Sequence, residues 1–426
     1  MKRLLIQTQL SNYDTKGKFI LECDSGWQMV MGRVREMLKL APDLFIDVMG
    51  PMPEQCMTHP VNINPDLWED PSVANRLRYI PHRIYPNALL TRYDFDWESI
   101  ASSLDLAHNA YDAVLLNDPM HLRAFKAMFF IETKSQPKFF VHSHFVDDPS
   151  CPKFPVEASL WLGQCEAAIK ADFNFWQCES TLDIVEKEMD KIFDHNVVSR
   201  VIAKSQPWDD GYSVSEMSTP VEEKNLRFNP KDVLSRLEGK VVLFVPNRIG
   251  GRGRSSDYTN CGKFMFDILP EIYKRRQDFV VIAGNPSQKF LNGELWTECG
   301  PNGYINLVPD ALNRDEFKWV ARHSHIAVGL YDQDSYGGTV ARECIEAGCV
   351  PLWIDNYEYS IIAALANWPY MVRSDFVGLP LMADALIEAC KSGVHERWKP
   401  RLKDVVRSRC SYEATTPVAM KLMGLL

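Results

Sequence analysis

Short apolar runs alternate with amphipathic helical segments along almost the whole chain, and this rhythm restricts the fold more than any other feature. In the first half the strand-like runs fall at residues 4–7, 44–49, 113–117, 139–142 and 171–176. Helical periodicity follows at 27–40, 97–107, 123–133, 156–168 and 181–193. The second half repeats the pattern, with runs at 241–246, 279–283, 305–308, 326–330 and 350–354 and a helix over 264–275. Strand and helix in strict alternation predict α/β domains built on parallel sheets. Two similar halves predict two facing Rossmann-like domains with a cleft between them, into which the carboxyl ends of the strands point. The expected boundaries are an N-terminal domain over 1–203, an interdomain connection over 204–240 and a C-terminal domain over 241–393. Helices over 394–426 are expected to cross back to the first domain.

At 426 residues with 46% hydrophobic and 11% aromatic side chains, the chain can bury two substantial cores, which excludes a disordered protein. A net charge of −9 excludes a uniformly basic surface, although a local basic patch is compatible with it. No apolar run reaches the roughly 18 residues of a membrane span, so no membrane partner is expected. The opening Met1-Lys2-Arg3-Leu4-Leu5 is too short in apolar length for a signal peptide and fits a first strand. The 11 cysteines are scattered without a CxxC pair, which predicts reduced, buried thiols and a cytoplasmic chain, in a host cytoplasm if phage-encoded.

The stretch 334–355 carries the most chemistry. Gly337 and Gly338 permit close backbone approach, and Thr339 stands where a helix begins. Free N–H groups and the positive end of the helix dipole suit a diphosphate. Glu343, about one turn further on, is positioned to accept hydrogen bonds from a ribose hydroxyl; Gly348 ends the helix before the strand at 350–354. A cationic loop follows the strand at 241–246 and contains Arg248, Arg252, Arg254 and Lys263 among glycines. Arginine forks pair with phosphate oxygens and stabilise a leaving diphosphate. Neither a Walker A loop nor a GxGxxG fingerprint is present. Asn313 and Glu316 have the spacing of a helix capping box, and 306–310 is a candidate base-binding loop.

In the first half, Asp24, Ser25 and Gly26 open a helix; Gly26 leaves room for a sugar or phosphate, and plain capping explains the same residues. His142 and His144 end a strand, with Asp147 and Asp148 just beyond. Such a group supplies an acid or base, positions an acceptor hydroxyl, or is structural. His-x-His without a third ligand predicts no metal site.

These residues resemble the GT-B glycosyltransferases, and among them the DNA α-glucosyltransferases of T-even phages. Glu343, Gly348 and Pro351 fit the Glu-x-x-x-x-Gly-x-(x)-Pro stretch of retaining members. Asn247-Arg248-Ile249-Gly250-Gly251-Arg252 echoes the phage enzymes' Asn-Arg-x-x-Gly-Arg run. The resemblance implies a nucleotide-sugar donor such as UDP-glucose, no required cofactor or metal, and transfer with retention. It implies Arg248 and Lys263 on the diphosphate, Glu343 on the ribose, and His144, with Asp147 as an alternative, at the acceptor hydroxyl. Where the family has a first glutamate, eight residues before Glu343, this chain has Ser335, with Asp332 and Asp334 nearby.

For the acceptor, residues 75–93 interleave arginines with aromatics, and Arg76, Arg78, Tyr79 and Arg83 are candidates to hold DNA phosphates and a displaced base. The basic run 395–409 is a second patch or a solvated face. The resemblance implies a hydroxymethylated pyrimidine in phage DNA as acceptor, with a glycan, lipid-linked sugar or protein as the alternative.

Overall fold

The computed structural model describes residues 2–10, 16–86, 93–133, 136–144, 146, 158–248, 264, 268–285, 304–308, 312–330, 339–355, 357–373 and 377–426. The chain divides into two units, one made of Met1–Gly211 with Tyr412–Leu426 and the other of Tyr212–Ser411.

The first unit is built on strands β1 (Lys2–Gln7), β2 (Leu44–Pro51), β3 (Leu77–His82), β6 (Ala113–Leu116), β7 (Lys138–Ser143), β8 (Phe173–Trp176) and β9 (Ser205–Pro207), with a small β4–β5 hairpin (Ile84–Pro86 and Tyr93–Phe95) set apart from them. The seven pair in the order β3-β2-β1-β6-β7-β8-β9, and every pairing is parallel. The order reverses between β1 and β6, which makes their carboxyl ends a topological switch point. Both faces of a parallel sheet are covered by crossover helices, so its strands read as continuous apolar runs. Leu4, Leu5, Ile6, Val114 and Leu115 show this, each at most 1% exposed.

The second unit repeats the design with β10 (Val241–Arg248), β11 (Phe279–Asn285), β12 (Tyr304–Asn306), β13 (Ile326–Gly329), β14 (Val350–Ile354) and β15 (Met371–Val372). Its order is β12-β11-β10-β13-β14-β15, again all parallel, with the reversal between β10 and β13. Both units are therefore Rossmann-like.

Several elements differ from the sequence expectation. The expected connection at 204–240 is structured: it supplies the edge strand β9, then a short helix at Val214–Ser218 and another at Pro230–Leu237. The stretch 77–82, expected as part of a nucleic-acid surface, is strand β3, in which Leu77, Ile80 and His82 are buried. The helix expected over 181–193 is Glu179–Met189, and a further helix not expected from the sequence follows at His195–Ala203. Asp194 caps that further helix by accepting a hydrogen bond from Asn196 N at 2.8 Å. Within the helix expected over 264–275, the described helical turn is Leu269–Tyr273. The last helix, Tyr412–Met423, packs against Ser25–Leu40 and buries Tyr412, Ala419, Met420 and Met423 in the first unit's core. The described cysteines 56, 165, 178, 344, 349, 390 and 410 are buried thiols.

His82 ends β3 fully buried, edge-on to Phe95 at 5.1 Å, while His121 stacks on the same ring at 4.0 Å. Burial, with a smaller effect from the neighbouring His121, lowers the His82 pKa from 6.5 to about 4. The unfolded chain thus takes up a proton near pH 6.5 that the folded chain refuses until about pH 4. Unfolding free energy should fall across that window as pH drops, by up to about 3 kcal/mol from this residue. Denaturant titrations at several pH values check this: His82→Phe should flatten the slope, and an unchanged slope would remove His82 as its source.

Candidate functional site

The carboxyl edge of the first sheet gathers polar residues from several chain segments. At the switch point Asn117 Nδ2 donates to the Gln7 carbonyl at 2.8 Å, and the Asp118 N–H donates to Gln7 Oε1 at 2.9 Å. These bonds tie β1 to the segment after β6. The helix Ser25–Leu40 is capped by Asp24, whose Oδ1 accepts from Trp27 N at 2.9 Å. Gly26 packs against the backbone after β1, because a Cβ there would lie 1.8 Å from the Gln9 carbonyl oxygen. The space that Gly26 was expected to leave for a sugar or phosphate is filled by that carbonyl.

His142 and His144 stand at and just beyond the end of β7, and the chain leaving β9 brings Asp209 and Asp210 beside them. His144 Nδ1 lies 2.8 Å from Asp210 Oδ2, and Gln177 Nε2 donates to the same oxygen at 2.7 Å. His142 Nε2 is 3.7 Å from Asp210 Oδ1 and 3.1 Å from Arg33 Nη2. On its other side, His144 Nε2 is 3.4 Å from the hydroxyl of the exposed Ser25. Arg33, 1% exposed, donates to the carbonyls of Trp208 and Asp209 at 3.1 and 2.7 Å and lies 3.9 Å over the Trp208 ring.

Burial alone would push the Asp210 carboxyl up. The charge and hydrogen bond of His144, with His142 and Arg33, reverse this and hold it below the usual carboxylate range. Burial, reinforced by Arg33, keeps His142 neutral well below the ordinary histidine value. Arg33 itself is lowered to about 10 by burial, against the opposing charges of Asp210, Tyr412 and Asp209. With Nδ1 facing the Asp210 carboxylate at 2.8 Å, a proton on Nδ1 would leave Nε2, beside Ser25, as the acceptor atom, the tautomer that orients a hydroxyl. Asp147, the expected alternative, lies outside the described residues.

In the second unit the strands at the switch point are β10, whose last residue is Arg248, and β13. Arg252, Lys263, Gly337 and Gly338 lie outside the described residues. Thr339 is the first residue of the Thr339–Ala347 helix, which carries Glu343 and ends at Gly348. Gly348 takes φ +115, and the N–H groups of Gly348 and Cys349 close on the Cys344 carbonyl at 3.1 and 2.9 Å. Glu343 is buried. Its Oε1 accepts from Arg314 Nη2 at 2.6 Å, and Arg314 Nε donates to Glu216 Oε1 at 2.5 Å. Burial raises the Glu343 carboxyl, an effect that Arg314 opposes. The expected capping box is present, Asn313 accepting from Glu316 N at 2.9 Å and Glu316 accepting from Asn313 N at 2.8 Å.

The residues expected to grip DNA have partners inside the first unit. Arg76 donates to the carbonyls of Leu38 and Ala41 at 3.1 and 3.0 Å, closing the end of the Ser25–Leu40 helix. Arg78 and Arg3 share the buried Asp47 at 2.9 and 2.8 Å. Tyr79 is half-buried and donates to the Pro51 carbonyl. Arg83 keeps an exposed guanidinium, 3.9 Å from Glu54. In the run 395–409, Arg407 and Arg409 pair with the buried Glu346 and Glu358 at 2.5 and 2.8 Å.

Nitrogen-15 shifts of selectively labelled histidine test the tautomer assignment. His144 should report a protonated Nδ1 in the native chain and lose that preference in Asp210→Asn. A native His144 protonated at Nε2 would refute it.

No protein-family model matches the chain, and no curated protein matches its sequence. Its structure is similar to solved ones along their full length. HepE from Anabaena, solved in complex with UDP, superposes with a TM-score of 0.61 at 10% identity, covering 100% of both chains. A glycosyltransferase from Rickettsia africae gives 0.62 at 12% identity, covering 99% of this chain and 98% of that one. A UDP-forming α,α-trehalose-phosphate synthase from Burkholderia xenovorans, in complex with glucose-6-phosphate, gives 0.62 at 12%, covering 99% and 100%. Identities this low speak for the fold alone, and the fold shared over both Rossmann-like units is GT-B.

Proposed function

We propose that this chain is a glycosyltransferase that moves a sugar from a nucleotide-sugar donor, UDP-glucose or a close relative, to a hydroxyl acceptor. The observation that carries the reading is the His144–Asp210 pair at the carboxyl edge of one Rossmann-like sheet, in a chain whose second sheet sets Glu343 on the crossover helix after β13. The GT-B fold and the UDP complex of its HepE neighbour support the donor class.

In this reading Glu343 accepts from the donor ribose, while Arg248 and Lys263 neutralise the diphosphate, with the helix beginning at Thr339 directing its dipole there. Gly337, Gly338 and Arg252 belong to the same donor loops. His144 Nε2 accepts a hydrogen bond from the acceptor hydroxyl, and Asp210 holds the ring. The C1–O bond to the diphosphate breaks with its electron pair on the diphosphate, and the acceptor oxygen bonds to C1. The acceptor proton passes to the departing phosphate oxygen. Retention and independence of metal rest on the motif resemblance.

For the acceptor we favour a carbohydrate hydroxyl. The hydroxymethylpyrimidine reading came from the family resemblance, and of its candidate DNA contacts Arg76, Arg78, Tyr79 and Arg83 the first three are engaged in internal hydrogen bonds. Arg83 remains exposed.

Incubation with nucleotide-sugars against sugar phosphates, oligosaccharides and DNA carrying 5-hydroxymethylcytosine or 5-hydroxymethyluracil, read by mass spectrometry, tests the reading. A hexose mass gain on a sugar acceptor from a UDP-sugar is expected. A gain on DNA would restore the pyrimidine acceptor, and neither transfer nor donor hydrolysis would overturn the enzyme. Asp210→Asn should cut turnover by roughly 10²-fold with donor affinity unchanged. Arg248→Ala should cut it by roughly 10²–10³-fold. Near-native turnover in either variant would remove that residue from the mechanism. Proton NMR should show an α-linked product; a β-linked one would make His144 the base of a direct displacement.

A further inference from the structure

Arg314 has no role in the reading above, yet it is paired directly with Glu343. Its guanidinium donates to Glu343 Oε1 at 2.6 Å and to Glu216 Oε1 at 2.5 Å, and its Nη2 lies 3.4 Å from Met217 Sδ. The Cζ atom sits 5.4 Å from the Phe317 ring centroid. The backbone is equally fixed, because Arg314 opens the Arg314–Arg322 helix directly after its Asn313 cap. Glu316, which closes the capping box, is itself gripped by Arg227 through two hydrogen bonds of 2.9 and 2.8 Å. Glu216 and Met217 come from the Val214–Ser218 helix, so that helix and the one carrying Glu343 converge on one guanidinium.

The bond from Arg314 falls on one oxygen of Glu343. Among the described residues, Oε2 accepts no hydrogen bond. With the guanidinium itself tied to Glu216, this bond anchors Oε1 and leaves the second oxygen as the one that can meet a ligand. Burial works in the opposite sense, favouring a protonated Glu343 that would offer a poorer acceptor. The cation beside it preserves the acceptor character.

We infer that Arg314, clamped by Glu216, is the positioning residue that makes Glu343 selective for a donor carrying an intact ribose diol. The inference rests on the proposed nucleotide-sugar reading and adds to it a residue, and a selectivity, that the motif around Glu343 does not contain. Arg314 need not touch the donor: it acts through Glu343.

Calorimetric titration of UDP and of 2′,3′-dideoxy-UDP into the native chain and its variants tests this. The native chain should prefer UDP by roughly 10- to 100-fold, the size of hydrogen bonds to a charged acceptor. Arg314→Met should bind both nucleotides alike, within about 3-fold, by losing affinity for UDP and not for the dideoxy compound. Arg314→Lys, which restores a cation without the fork, should recover part of the preference. An Arg314→Met protein that melts like the native chain and keeps the full preference would overturn the inference. Should Arg314→Met fail to fold, Glu216→Gln loosens the clamp and should lower the preference; an unaltered preference there would equally overturn it. Glu343→Gln separates the two levels. If it keeps the preference, or if the native chain binds neither nucleotide, the ribose assignment fails, and the role of Arg314 fails with it.

Discussion

A parallel strand can be followed by its neighbour only through a crossover that returns the chain to the same end of the sheet. Every strand of both sheets therefore delivers its last residues to one edge, and that constraint organises this protein. Residues far apart in sequence, such as Ser25, His144, Gln177 and Asp210, meet because each lies just past a carboxyl end or opens the helix that follows one. The strand order reverses once in each sheet, which opens a crevice where two crossovers diverge. In the first sheet Gln7, Asn117 and Asp118 stitch that point together. In the second it lies between β10, ending at Arg248, and β13.

Buried charge is the second organising feature. Arg33 and Asp210 are nearly inaccessible to water, and each would be costly alone. Together with His142 and His144 they form a mutually compensating group in which Asp210 stays ionised and His142 stays neutral. The second unit uses the same principle around carboxylates: Glu316 with Arg227, Glu343 with Arg314, and Glu346 with Arg407 and Tyr212. A buried ion pair is weak evidence for stability but strong evidence for a fixed geometry, because removing one partner strands the other. Such networks suit side chains that must hold one orientation while a ligand comes and goes.

Much of the fold was legible in the sequence because parallel strands are apolar on both faces. The strand 350–354 was read to the residue, and most others to within a few positions. The short edge strands β9 and β15 and the mixed-polarity β3 were not, since an edge or half-covered strand lacks the continuous apolar run. The segment 75–85 misled for the same reason: Arg78 reaches across the sheet to a buried Asp47 that no local pattern reveals. His144 and Glu343 stand out as candidates from their positions after strands. Asp210, Arg33 and Arg314 do not, because each acquires meaning only from a partner distant in sequence. A signal existed for Asp210: the pair Asp209-Asp210 follows Trp208 and precedes a glycine, unusual company within a stretch otherwise read as a connection.

The central claim is that the second unit holds a nucleoside diphosphate with its ribose on Glu343 and its phosphates at the carboxyl ends of β10 and β13. A crystal structure of the chain with UDP tests it most directly. The account predicts the ribose diol within hydrogen-bond distance of Glu343 Oε2, with the Arg314 pair to Oε1 intact and the diphosphate beside Arg248. UDP bound elsewhere, or bound there with its ribose turned away from Glu343, would contradict it.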